Sequence, residues 1–191
     1  MRPYRWTLVL LVAAAGAAGV LVPSPAASAD KAIERFTAFA VQMGRTRGTA
    51  TGTVDIVIER WSTPAERDRL TAALREKGSD GLIDEMRKVD DRVGYIRSGG
   101  SLGYPLRFAY QTELASGGRR LVLGTDRPVR FLETRSTLYP FLIIDIRMGA
   151  NGEGQGKLLP LARVKVHPDA VVEFEDYAIE PVRLTRVRKV D

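Results

Sequence analysis

The chain has 191 residues, a formal net charge of +6, one histidine and no cysteine. That composition excludes a disulfide framework, thiol catalysis and a lipid-modified cysteine, and it leaves a metal site only carboxylates to work with. No metal ligand set and no cofactor is expected.

The N-terminus reads as a secretory signal peptide, Met1 to Ala29. MRPYRW supplies a basic start, TLVLLVAAAGAAGVLV an apolar run and AASA a small-residue end of the A-x-A kind. The run is diluted with Ala and Gly and is followed by Pro23 and Pro25, which argues against a permanent membrane anchor of about 20 strongly apolar residues. Residues 30–191 then form a single domain, exported to the periplasm or secreted. Without Arg2 and Arg5, the 29 basic residues become 27 against 23 acidic ones, a mild excess of four. Much of it lies in VRLTRVRKVD, where Arg183, Arg186, Arg188 and Lys189 either touch an anionic surface or, more commonly for such a run, form a solvated terminal strand. An exported chain of this charge is not expected to bind nucleic acid.

Two strands come first, at 33–43 and 53–61; Val54, Ile56 and Ile58 alternate with Asp55, Val57 and Glu59. The glycines and hydroxyls of GRTRGTATG mark the turn between them and leave the start of the second strand irregular. A two-helix insert follows at about 63–89. Thr63 caps the first helix, Pro64 suits its first position and Glu66 completes a capping box, while Gly78 fits a stop. The second helix carries Leu82, Ile83, Met86 and Val89 on one stripe. The insert either completes the core or lies as a lid over an open end of the sheet.

Strands resume with VGYIR and PLRFAYQTEL, the latter placing Leu106, Phe108, Tyr110, Thr112 and Leu114 on one face. Ser116-Gly117-Gly118 turns the chain into RRLVLGT. YPFLIIDIRM, with Leu142, Ile144, Ile146 and Met148 on one face, is the most apolar run and reads as a central strand. The glycine-rich GANGEGQG reads as a loop before a strand at 157–166, which Pro160 assigns to an edge or a bulge because proline has no donor for the ladder. HPDA is a turn, and VVEFEDY and EPVRLTRVRK are the last strands. The fold class is mainly β: an antiparallel meander of about eight to nine strands closed into a barrel or folded as a sandwich, with the helical insert.

The stretches ERWSTPAERDRL, RVGYIR, GGRRLVLGTDRP and GEGQGKL resemble an uncharacterised group of exported bacterial proteins. The resemblance spans most of the chain after residue 29. It implies a bacterial envelope or secreted setting, and it implies no activity, ligand or functional residue.

The only histidine, His167, precedes Pro168 and Asp169 in a turn, and no serine sits in a G-x-S-x-G elbow, so a serine triad is not expected. Neither GANGEGQG nor SDGLIDE matches a calcium loop, and no glycine cluster leads into a Walker sequence. Glu34, Asp55, Glu59, Asp145 and Glu173 lie in strand-like runs and are the carboxylates a glycosidase-like hydrolase would use. Asp145 interrupts an apolar strand; with Arg147 it enters a partly buried site if the Phe141 and Ile143 face turns inward, and otherwise belongs to an outward Asp-Arg strand face or to a buried ion pair that only orders the fold. Aromatic residues near strands, Trp61 and Tyr110 among them, are either core or the lining of an apolar site.

The expectation is an exported, non-enzymatic binding module for a small apolar ligand or an envelope protein, with Trp61, Tyr110, Asp145 and Arg147 as ligand-binding residues. A hydrolase using strand carboxylates and a structural or assembly protein without a pocket are the alternatives. Sequence does not fix the oligomeric state.

Overall fold

The computed structural model describes residues 33–44, 48–99, 102–127, 141–160, 162–166, 172–177 and 181–190. Within them run β1 (Glu34–Gly44), β2 (Gly48–Ile58), α1 (Pro64–Arg87), β3 (Gly94–Ser98), β4 (Tyr104–Leu106), β5 (Phe108–Glu113), β6 (Arg119–Thr125), β7 (Leu142–Met148), β8 (Glu153–Pro160), β9 (Ala162–Val166), β10 (Val172–Tyr177) and β11 (Val182–Val190). Nine strands form one antiparallel sheet in the order β4-β3-β2-β1-β11-β8-β7-β6-β5, and β9 and β10 pair as a separate hairpin.

The sheet is a nearly closed barrel. Its two edge strands, β4 and β5, are consecutive in the chain and are separated only by Arg107. β4 pairs with β3 on one side, β5 with β6 on the other, and the Arg107 N–H donates to the Gly124 carbonyl at 2.7 Å. A strand bent at one residue thus serves both edges, which disposes of most of the unpaired backbone an open sheet would expose.

Strict alternation divides the side chains between two sides of the wall. Inside lie Phe36, Ile56, Ile58, Ile96, Leu106, Leu121, Leu123, Leu142, Ile144, Ile146 and Leu158, each at most 1 % exposed. A side chain without accessible surface borders no void large enough for a water molecule, so the barrel is filled at these positions, as expected for a barrel of about eight strands. Gly154 and Gly156 belong to β8; a Cβ there would strike Met148 and Ile146, so these glycines make room for the larger inward side chains of β7. The expected loop at GANGEGQG is therefore half turn and half strand. Pro160 is the last residue of β8, which lies between β7 and β11, so the missing donor is accommodated at a strand end and not at a sheet edge.

The insert runs as one helical element, α1, with a kink at Gly78 where a break between two helices is expected. α1 starts on the expected capping box, with Thr63 Oγ1 accepting from the Glu66 N–H and Glu66 accepting from the Thr63 N–H at 2.7 Å. Gly78 leaves helical geometry (φ 62, ψ −149), and helical turns resume directly after it, so the glycine interrupts the element without a connecting loop. Leu70, Leu74, Leu82, Ile83 and Met86 pack on Phe108, Phe141, Ile143 and Leu159. Those residues alternate with the interior set, which places the helix on the outer wall of the barrel. Three arginines fasten it there: Arg60 to Glu66 through two bonds of 2.9 Å, Arg92 to the buried Glu59, and Arg107 to both Asp126 and the Val89 carbonyl. No helix among the described residues is long and apolar enough to cross a membrane.

The outward face of PLRFAYQTEL differs from expectation. Leu106 faces the interior, whereas Phe108 and Tyr110 face α1 and the small Ala109 points inward. The bend at Arg107 changes the phase of the alternation by one residue.

Candidate functional site

Register builds three outward rows across β5, β6, β7 and β8. The lowest is Phe108, Gly124, Ile143, Leu159. It is apolar and covered by α1, and the Phe108 ring lies where a Cβ on Gly124 would be. The middle row is Tyr110, Val122, Asp145, Lys157, and it reaches Arg183 on β11; at about 4.8 Å between strands it spans about 19 Å. The upper row is Thr112, Arg120, Arg147, Gln155. The outer wall thus grades from greasy and covered to charged and bare.

Of the four residues expected to bind ligand, three fall on these rows. Tyr110 is half-buried at the helix margin and stacks on Phe108 with centroids 5.4 Å apart. Its hydroxyl is buried with no hydrogen bond of good geometry among the described residues, although the Ser62 hydroxyl, which accepts from the Ala109 N–H, lies close enough to lower its pKa; burial, and then the Glu66 charge, outweigh this and raise the Tyr110 pKa above its usual value. Asp145 points outward and accepts two bonds of 2.9 Å from Arg120. Arg147, next on the same face, is exposed. Asp145 and Arg147 therefore do not enter a buried site: Phe141 and Ile143 are buried beneath the helix, on the outside of the wall. Trp61 stands apart, partly buried against the interior cluster.

Cations dominate the bare part. Arg120, Arg147, Lys157, Arg183, Arg186 and Arg188 face Asp145 and Glu153, six positive groups against two negative. Asp145 is engaged by Arg120, and Glu153 by Arg188 at 2.7 Å. Among the described residues Arg147, Lys157, Arg183 and Arg186 have no acidic partner. Two like-charge pairs stand directly opposite each other across strands, Arg120 with Arg147 and Lys157 with Arg183, an arrangement that destabilises a sheet. A bulge in β11 interrupts pairing on both sides of the strand, between Leu184 and Val187 toward β8, and it holds Arg186 at φ 52. Left-handed backbone on a residue with a Cβ costs about 1 to 2 kcal/mol, and here it delivers another cation to the same face.

Four of the five carboxylates proposed for acid and base work face an arginine. Glu34 takes Arg119 through both oxygens, Asp55 takes Arg97, Glu59 takes Arg92 and Asp145 takes Arg120. Glu173 lies in β10, where only the backbone is described. At the mouth of the barrel the β5–β6 and β7–β8 turns bound an open recess of about 430 Å³, lined by Leu114, Gly118, Arg119, Met148, Gly149 and Lys189. Arg119 crosses its floor, bonded to Glu34 and Gln111 and set 5.7 Å above the Phe36 ring. No group of three acidic or histidine side chains among the described residues could hold a metal ion. Residues 1–29, where a signal peptide is expected, and Ser101, Ser136, Tyr139 and the turn at His167 lie outside the described residues.

No protein-family model, no curated protein and no solved structure matches this chain.

Arg183 and Arg186 of the bare face belong to the basic tail that the sequence offers as a contact for an anionic surface, whereas nothing in the sequence singles out Arg120 and Lys157. The signal for part of it was present, since VRLTRVRK alternates arginine with Leu184 and Val187 at strand spacing. Its partners on β6, β7 and β8 are distant in sequence and become neighbours only through register.

Proposed function

We propose that the chain is a non-enzymatic binding module of the bacterial envelope that works through the uncovered outer wall of its barrel. One observation carries this: the interior positions named above are at most 1 % exposed, while the wall over β7, β8 and β11 presents Arg147, Lys157 and Arg183, which have no acidic partner among the described residues and of which Lys157 and Arg183 stand opposite each other. A filled interior offers an apolar ligand no room at those positions, which favours a macromolecular partner on the surface. The hydrolase alternative is not favoured, because the carboxylates meet arginines and not one another.

In-cell photocrosslinking tests this. A photoreactive residue at Gln155, in the centre of the bare face, is expected to capture a partner, protein or lipid, and one at the exposed Asp91, between α1 and β3, is not. Equal capture from both positions, or none from Gln155, overturns the proposal.

A further inference from the structure

We infer that the partner of this face is an anionic lipid bilayer; this rests on the surface-binding reading above. Arg147, Lys157, Arg183 and Arg186 are spread over three strands of a convex wall, and they do not converge on a cleft that would grip a single phosphate or carboxylate. Such a distribution fits a planar, diffuse negative charge. The opposed pairs point the same way, since lipid phosphates lying against Lys157 and Arg183 relieve a repulsion the isolated barrel must carry.

The second observation is apolar. Beside the bulge that presents Arg186, Thr185 pairs with Phe39 of β1, and Phe39 is 40 % exposed. Val41 follows on the same row as Lys157 and Arg183. A basic face bordered by an exposed aromatic side chain suits the headgroup boundary, where cations meet phosphates and the ring enters the acyl edge. A soluble polyanion satisfies the cations but gives the ring no apolar contact.

Co-sedimentation with phosphatidylcholine vesicles, with and without phosphatidylglycerol, tests the inference on the full chain. Any contribution from the apolar residues 7–22 is common to all variants and cancels in the comparison. Wild type is expected to partition at least about tenfold more onto the anionic vesicles and to lose this preference at high salt, each cation being worth about fivefold. Lys157→Glu with Arg183→Glu is expected to lose about tenfold or more, the neutral Lys157→Gln with Arg183→Gln less, and Phe39→Ser severalfold with the salt dependence retained. Circular dichroism and thermal unfolding establish that each variant is folded. Charge-reversed protein that binds like wild type, or wild type that prefers heparin to anionic vesicles, overturns the inference. Loss of vesicle binding alongside a protein crosslink at Gln155 sinks the lipid alone; loss of both sinks the surface-binding reading with it.

Discussion

Leu106 and Phe108 sit on either side of one residue and belong to opposite edges of the same sheet, Leu106 opposite Gly94 of β3 and Phe108 opposite Gly124 of β6. Arg107 is the seam. Its main chain bonds to Gly124 and its side chain holds Asp126 and the Val89 carbonyl, so it ties both edges to the segment that follows the helix.

Arg107→Ala is expected to destabilise the barrel by about 2 to 3 kcal/mol, because it strands a little-exposed carboxylate and a carbonyl together. Urea denaturation measures this. Lysine at the same position restores at most one of the two contacts, so its stability should fall between those of alanine and wild type.

At Gly124 the expectation is steric. A Cβ there overlaps the Phe108 ring, and Gly124→Ala should cost about 1 to 3 kcal/mol through forced repacking under the helix. Phe108→Leu clears that volume, so in a double-mutant cycle the two substitutions should couple. Strictly additive losses would mean that the ring does not need the glycine.

Much of this architecture is legible in the chain and the rest is hidden for physical reasons. Alternation in TVDIVIE and FLIIDIRM gives strands β2 and β7, and the Thr63 to Glu66 spacing gives the helix start. An apolar stripe, however, reads the same whether a barrel interior or an external helix covers it, which is why the side chains of Phe108 and Tyr110 were placed with Leu106. Glycine is a turn signal by composition, yet Gly154 and Gly156 serve in β8 by having no side chain. Asp145 stood out because it breaks an apolar run, but only register brings Arg120 and Lys157 beside it.

Acid sensitivity should have an identifiable source at Glu66. The Arg60 guanidinium holds its carboxyl down at about 2 from an ordinary 4.5, against the opposing effect of burial and with help from the Thr63 N–H. A folded-state pKa below the unfolded one makes a contribution that is complete above pH 4.5 and declines as pH falls toward 2. Glu66→Gln should therefore be less stable than wild type at neutral pH, by about 1 to 2 kcal/mol, and the difference should shrink over that acid range. A constant difference across the range would assign the loss to packing.

Tyr110→Phe is expected to leave the fold intact and raise stability by about 1 kcal/mol. The substitution removes a buried hydroxyl that makes no hydrogen bond of good geometry among the described residues while keeping the ring stacked on Phe108. Calorimetric melting temperatures compare the two directly; a clear drop would reveal a bond that the hydroxyl makes.

Register also sets the order of events during synthesis. Arg35 pairs with Val190 and Val41 with Arg183, so the first strand is sealed only by the last. Until the ribosome has delivered residues 182–190, one flank of the opening hairpin lacks its neighbour and the hydrophobic interior lacks a wall. Contacts this remote along the chain form late and slowly, so the outer flank of β1 stays open to other pairings until residues 182–190 reach it.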